Sequence, residues 1–417
     1  MTIGIRYVGY GDVGGYALAA LAYIRALHRA GVPVWPFFSA PRLSPAESAR
    51  ERMMLPLGRA VEGDASFADL PALMRATARP IAYDTIVAHT HPEYWRRFSE
   101  SDTRLIGYTV WETDALPGRW LPLLNSADRI LVPSRFNAEL FLRDGVTRPV
   151  QVVPHIVRSA WNASAPEDGA ALRQRMGIPA DHFVFYTIAV WTPRKALRDL
   201  INVFAREFGD EDRVTLLVKT SAAISNAVAG TEPEVGVQET AASIVAEAAR
   251  ETGRRTAQVV CIAADESSGG TIEAIHAAGD AYVSLTHGEA WGLGAFDAAT
   301  LGKPVIITGW GGQLDYLGCD YPGLVRYEMT PVQPHLQFAP PQRWAVRVVA
   351  PASKPSSLSV RPRNDRIQAT SSAVDLASRR RAAGAVIPYP PCYDRTYGTV
   401  YVMSTAPRVW PGVSGDS

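Results

Sequence analysis

Short runs of β-forming residues alternate with helical stretches twice over in this chain, and that alternation restricts it to few folds. Ile3 to Val8 reads as a strand, a glycine-rich turn follows at Gly9–Gly15, and Tyr16 to Arg29 has Ala/Leu-rich helical spacing. Gly31 closes that helix and Val32 to Phe38 reads as a second strand. Strand, helix and strand in this order imply a parallel sheet. Further short apolar runs follow at Thr85–Ala88, Leu105–Tyr108, Arg129–Val132 and Val150–Val153. After a stretch of Asn, Ser, Pro, Asp and Gly around Trp161–Glu167, a second set begins. Its expected strands are His182–Val190, Val214–Lys219, Gln258–Ile262, Ala281–Leu285 and Pro304–Thr308. Its expected helices are Ala196–Phe208, Glu239–Arg250, Thr271–Ala278 and Ala295–Leu301. The expected architecture is α/β, with two Rossmann-like domains and a cleft between them. Ligands of such sheets bind beyond the carboxyl ends of strands, so the loops after strands are the informative ones.

The expected boundaries are 1–157 for the first domain, 158–178 for a linker region, and 179–345 for the second domain. Residues 346–417 form an atypical tail. A length of 417 residues suits two or three domains, and 47% hydrophobic with 20% charged residues excludes a wholly disordered chain. The net charge of +1 conceals a division. From Val346 onward there are 10 Lys and Arg against 4 Asp and no Glu, which leaves 32 basic and 37 acidic side chains before it. Pro, Ser and Arg dominate this tail, including Arg379-Arg380-Arg381, and it reads as disordered or loosely attached. Cys261, Cys319 and Cys392 are far apart and match neither a disulfide framework nor a zinc pattern, as suits a reducing compartment. No signal peptide or membrane span is read, so the expected location is the cytoplasm. The near-zero net charge gives no signal for a nucleic-acid partner.

Several loops carry candidate chemistry. Gly9-Tyr-Gly-Asp-Val-Gly14 is a formal GxGxxG between a strand and a helix, but the second strand ends without the carboxylate that would hold a dinucleotide's ribose. Gly11, Gly14 and Gly15 either let backbone N–H groups approach an anionic or sugar ligand or form a tight turn with no ligand. His89-Thr-His91 ends a strand; a third metal ligand with clear spacing is absent, and the alternatives are a substrate hydroxyl contact or a structural histidine. Trp111-Glu112-Thr113-Asp114 could bind a polyol or form a solvated turn. Ser134 is the expected N-cap of a helix, and Pro154-His155 is uninformative alone. Arg194 and Lys195 place two cations at a strand's end near a helix start, which suits a diphosphate. Lys219 closes the next strand. The densest block runs from Thr286 to Ile306: a glycine-rich loop with Glu289, a helix with Asp297, then Gly302-Lys-Pro leading into a strand.

This block resembles the donor-binding region of retaining glycosyltransferases of the GT-B fold, family 4 and its group 1 relatives, whose signature is two glutamates separated by seven residues. The resemblance extends over about residues 3–345 through the turn at 9–15, Thr109–Asp114, Val132–Asn137, Val152–His155, Trp191–Lys195 and Ala278–Ser284. It implies metal-independent sugar transfer, without a cofactor, from a nucleotide-diphosphate-sugar donor to a glycan or lipid-linked acceptor in polysaccharide or glycolipid assembly. Peripheral membrane association and oligomeric state stay open. By this resemblance Arg194 and Lys195 neutralise the leaving diphosphate, and Glu289 contacts the sugar's hydroxyls. Ala290, Trp291, Gly292 and Leu293 flank sugar and phosphate, and Asp297 binds the ribose. Gly11, Gly14 and Gly15 line the cleft, with His89 or His91 facing the transferred sugar and Glu112 beside the substrate. Two departures stand out: Asp297 replaces the second glutamate, and no Gly-Arg precedes the lysine by several residues. The family's closing helices are also absent after Trp344-Ala345, which suggests that the tail is a frameshifted reading of a high-GC gene; a genuine basic extension is the alternative. Two other readings of the whole chain are a nucleotide-sugar-binding protein without efficient turnover and an NAD(P)-dependent oxidoreductase.

Overall fold

The computed structural model describes residues 3–12, 14–39, 69–157, 169–221, 236–263, 272–332 and 342–348. Its first unit is a six-stranded sheet built from β1 (Gly4–Tyr10), β2 (Val34–Ser39), β3 (Tyr83–His89), β4 (Arg104–Tyr108), β5 (Arg129–Val132) and β6 (Val150–Val152). The spatial order is β2-β1-β3-β4-β5-β6 and every pairing is parallel. Helices α1 (Gly15–Arg29), α2 (Leu70–Thr77), α3 (Leu121–Leu124) and α4 (Arg135–Arg143) connect these strands. Helix α1 buries Ala17, Ala20, Leu21 and Ile24, the stripe its Ala/Leu spacing dictates. Ser134 caps α4 by accepting from the Asn137 N–H, as its position in the sequence suggests. At the centre of the unit, Trp95 is completely buried, and a Cβ at Gly107 would lie 2.1 Å from its ring. The strand therefore needs glycine there to leave room for the indole.

The second unit repeats the design. Helix α5 (Gly169–Arg175) precedes β7 (Phe183–Ile188), α6 (Leu197–Glu207), β8 (Val214–Thr220), α7 (Val237–Thr252) and β9 (Gln258–Ala263). Then come α8 (Ile272–Ala278), β10 (Ala281–Ser284), α9 (Leu293–Thr300), β11 (Val305–Thr308), α10 (Leu314–Leu317) and β12 (Leu324–Val325). Its order, β12-β11-β10-β7-β8-β9, is again wholly parallel. The two Rossmann-like units expected from the alternation are thus both present.

Three features differ from the sequence reading. Part of the expected linker 158–178 folds as α5, whose Leu172 is buried and whose Arg173 donates to the Ala278 carbonyl and to Asp280, so this helix belongs to the second unit. The remainder of that linker, 158–168, lies outside the described residues. An antiparallel hairpin, β13 (Tyr327–Pro331) with β14 (Arg343–Arg347), carries the fold two residues past the expected boundary at 345. The rest of the basic tail, from 349 on, lies outside the described residues. Cys261 is a free, half-buried thiol, whereas Cys319 is disulfide-bonded, although the cysteine spacing matches no disulfide framework.

Candidate active site

In each sheet the strand order reverses once, and the loops leaving the carboxyl ends of the two strands at that reversal form a crevice. In the second sheet these strands are β7 and β10, adjacent although about a hundred residues apart. The loop after β7 brings Arg194 and Lys195, and the loop after β10 brings Glu289. The two loops are stitched together: the His287 N–H donates to the Arg194 carbonyl at 2.7 Å, and Thr286 Oγ1 to the same carbonyl at 3.3 Å. Pro193–Lys195 is a single 3-10 turn, and Ala196 takes φ 50° to start α6 beyond it. A non-glycine residue in the left-handed region is strained. Here the strain lies directly behind the two cations.

Four charged side chains meet in the crevice. Lys195 Nζ donates to both carboxylate oxygens of Glu289, at 2.6 and 2.8 Å. Arg194 reaches Glu289 at 3.4 Å, the Gly288 carbonyl at 2.6 Å and, from the first unit, Glu112 at 3.3 Å. Burial pushes the Glu289 carboxyl pKa up, but Lys195 and Arg194 more than offset it and hold it below its ordinary value. Lys195 is lowered by burial, which Glu289 only partly opposes. For Arg194 burial acts downward, and Glu112 and Glu289 together win and raise it. The result is a largely buried cluster of two cations and two anions, its charges balanced and shared between both halves of the molecule.

The backbone around Glu289 is fixed by close packing. Gly312 N–H donates to the Glu289 carbonyl at 2.7 Å, and a Cβ on Gly312 would lie 1.8 Å from the Ala290 carbonyl oxygen. A Cβ on Gly288 would lie 2.1 Å from the Glu112 carbonyl oxygen, so the two units touch backbone to backbone there. Ala290 and Trp291 are buried, Gly292 caps α9 with φ 81°, and Leu293 opens the helix. The Trp291 ring packs on Phe296 and Tyr316 and leaves its buried indole N–H without a hydrogen-bond partner. Asp297 is half-buried on α9, where its charge helps raise the hydroxyl pKa values of Tyr186, Tyr282 and Tyr316, after burial.

In the first sheet the reversal falls between β1 and β3, whose carboxyl ends carry the glycine turn and the two histidines. Gly11 is buried, while Gly14 and Gly15 are exposed. The Gly14 N–H donates to the Asp12 carboxylate at 2.9 Å, so the turn satisfies that donor itself. A Cβ on Gly15 would lie 3.6 Å from Leu293 of the second unit, which places the turn against the α9 loop. The histidines part company. His89 is buried against the Tyr108 ring at 4.0 Å, and its Nδ1 is 3.0 Å from the Tyr7 hydroxyl. His91 is exposed, with Tyr16 4.9 Å away and Tyr10 at 5.8 Å. Burial lowers the His89 imidazole; that of His91 is lowered because Tyr10 and Tyr16 crowd water from its ring, and Glu112 and Glu93 oppose this. The structure therefore gathers Arg194, Lys195, Glu289 and Glu112 into one cluster, with His91 and Gly15 at its border and His89 in a layer beneath.

That layer was missed from the sequence. Tyr7, Tyr16, Tyr23 and Tyr108 pack around His89, His155 stacks on Tyr108, and the Tyr23 and Tyr108 hydroxyls both donate to the Val153 carbonyl, at 2.9 Å. His155 also meets the Trp291 ring at 6.0 Å, and burial pushes its imidazole down to about 3. Another omission is Asp315 on α10, which accepts the Arg135 N–H at 2.7 Å and so crosses between the units at the first turn of α4. Burial raises its carboxyl to about 6, although Arg135 acts the other way. The only hint was position: His155 follows β6, and Asp315 follows the Gly311-Gly312 pair.

No family model matches the chain, and no curated protein matches it in sequence. Solved structures do resemble it in fold. A glycosyltransferase from Rickettsia africae is 13% identical, with 76% of this chain and 82% of that one covered at a TM-score of 0.49. Sucrose-phosphate synthase from Thermosynechococcus elongatus is 15% identical, covering 76% and 83% at 0.48. HepE from Anabaena, solved with UDP and glucose, is 18% identical, covering 75% and 82% at 0.47. No helix among the described residues is long and apolar enough to cross a membrane.

Proposed function

We propose that this chain is a retaining, metal-independent glycosyltransferase that moves a sugar from a nucleotide-diphosphate-sugar to a glycan or lipid-linked acceptor. The observation that carries this reading is the convergence of Arg194 and Lys195 on Glu289 at the switch point of the second sheet. Departure of a nucleoside diphosphate concentrates negative charge on its oxygens, and fixed cations in a site shielded from water stabilise such charge far better than solvent does. Arg194 and Lys195 supply those charges. Glu289, kept ionised at neutral pH by both, is an acceptor for sugar hydroxyls. The N-terminal turn of α9, opened by Gly292, offers backbone N–H groups beside it. Asp297 takes the ribose in this reading. Glu112 and His91 form the wall facing the acceptor, and His89 supports that wall from beneath.

Binding without turnover is the second reading, favoured by the shorter carboxylate at Asp297. Calorimetry with a panel of UDP- and GDP-sugars, followed by donor hydrolysis with wild type and Glu289→Ala, separates the two. Saturable binding with turnover lost in the variant is the expected result. Binding with no turnover in wild type selects the second reading, and no binding to any nucleotide-sugar overturns both.

A further inference from the structure

The loop carrying Glu112 and the loop carrying Glu289 belong to different units, yet one short segment holds both. On one side, Asp114 N–H donates to the Arg343 carbonyl at 3.0 Å. Arg343 returns its own N–H to Asp114 Oδ1 at 2.5 Å and its Nε to Oδ2 at 2.8 Å. Next to this, Thr113 Oγ1 donates to Gln342 Oε1 at 3.0 Å, with both side chains buried. On the other side, the Ala345 N–H donates to the His287 carbonyl at 2.9 Å, and the Trp344 and His287 rings lie 4.7 Å apart. Four consecutive residues, Gln342 to Ala345, thus grip positions 113–114 of the first unit and position 287 of the second. The hairpin partner β13 braces the segment from behind.

We propose that Gln342–Ala345 is a clasp that holds the two acid-bearing loops together, and that Asp114 is a positioning residue acting through Glu112. Glu112 is two positions from Asp114 and Glu289 two from His287, so the clasp fixes the register in which Glu112 meets Arg194. Held there, Glu112 competes with any diphosphate for the Arg194 charge. Releasing it leaves Arg194 more strongly attractive to an anion. The geometry stands on the structure alone; the consequence for a nucleotide rests on the function proposed above.

The test uses the full-length chain with Asp114→Ala, Glu112→Gln, the double variant, Arg343→Ala and Arg343→Lys. The first readout is amide hydrogen exchange. Asp114→Ala and Arg343→Ala should each speed exchange about tenfold or more at 112–115 and also at 286–289, with Arg343→Lys restoring protection. The second readout is calorimetric affinity for UDP and for GDP. Asp114→Ala and Glu112→Gln should each tighten binding by about five- to tenfold, and the double variant should gain no more than Glu112→Gln alone. Faster exchange confined to 112–115, or additive gains in the double variant, overturns the clasp. If neither nucleotide binds wild type, the proposed function fails, and the exchange pattern alone still decides whether the two loops are coupled.

Discussion

Replacing Lys195 with methionine tests the electrostatics of the crevice most directly. Its ammonium lies 2.6 and 2.8 Å from the two oxygens of Glu289, and those side chains are only 17% and 9% exposed. Methionine keeps the bulk and removes the charge, leaving a buried carboxylate with Arg194 at 3.4 Å as its remaining cation. Removing one member of a buried ion pair costs about 3–5 kcal/mol, because the survivor keeps its desolvation penalty. Arg194 offsets part of that here, so about 3 kcal/mol is expected at neutral pH. For a unit of this size such a loss lowers the melting temperature by about 6–12 °C. The effect should also fade in acid. In wild type the folded carboxyl has a pKa below its unfolded value. Its stabilising contribution is therefore present above the unfolded pKa and is lost as pH falls through the folded one. Without Lys195, protonating Glu289 removes the uncompensated charge, and the two proteins converge. Scanning calorimetry at pH 7.5 and in acid below the folded carboxyl pKa provides both comparisons, with Lys195→Met/Glu289→Gln as the closing corner of the cycle. The double variant should recover most of the lost stability. A melting temperature within about 2 °C of wild type at pH 7.5, or a double variant less stable than either single one, would refute the reasoning.

The Asp315 carboxyl, at about 6 when folded, lies above its unfolded value, so its stabilising contribution is present in acid and is lost as pH rises through about 6. Asp315→Asn should therefore gain on the order of 2–3 kcal/mol over wild type at pH 8 and nothing near pH 4, measured by unfolding across that range. Gly107→Ala should cost about 1–3 kcal/mol in denaturant unfolding, since its Cβ would meet the Trp95 ring within 2.1 Å; an unchanged midpoint would show that the indole has room to move. Ala196→Gly should stabilise the second unit by about 1 kcal/mol by relieving the φ of 50°, read as a rise in its melting temperature.

The sequence exposed those parts of the site that depend on strand endings. A strand's period and its glycine-rich exit are local, so the turn at Gly11–Gly15, His89 and His91, Arg194 and Lys195, and Glu289 could each be placed at a carboxyl end before any fold was drawn. Their convergence then follows from the strand order, which brings β1 beside β3 and β7 beside β10. The tyrosine layer left no such mark. Tyr7 is on a strand, Tyr23 on a helix and Tyr108 on another strand, and each looks locally like an ordinary core aromatic. Helix α5 was lost for a different reason: its first residue is Gly169, and Leu172 is its one buried side chain, so amphipathic spacing had almost nothing to register. Strand β14 was hidden by the change of composition at its own midpoint, where Trp344 and Ala345 end the regular pattern and Val346 and Arg347 begin the basic one.

The backbone contact at Gly288 has a practical consequence. Because the Glu112 carbonyl comes so near the missing side chain, a single methyl group there would be a wedge between the halves. Such a variant changes no ionisable group and removes no hydrogen-bonding side chain. Gly288 is therefore a mechanical handle: the smallest edit that holds the two sheets apart, and a means of separating what the cluster does by its charge from what it does by being closed.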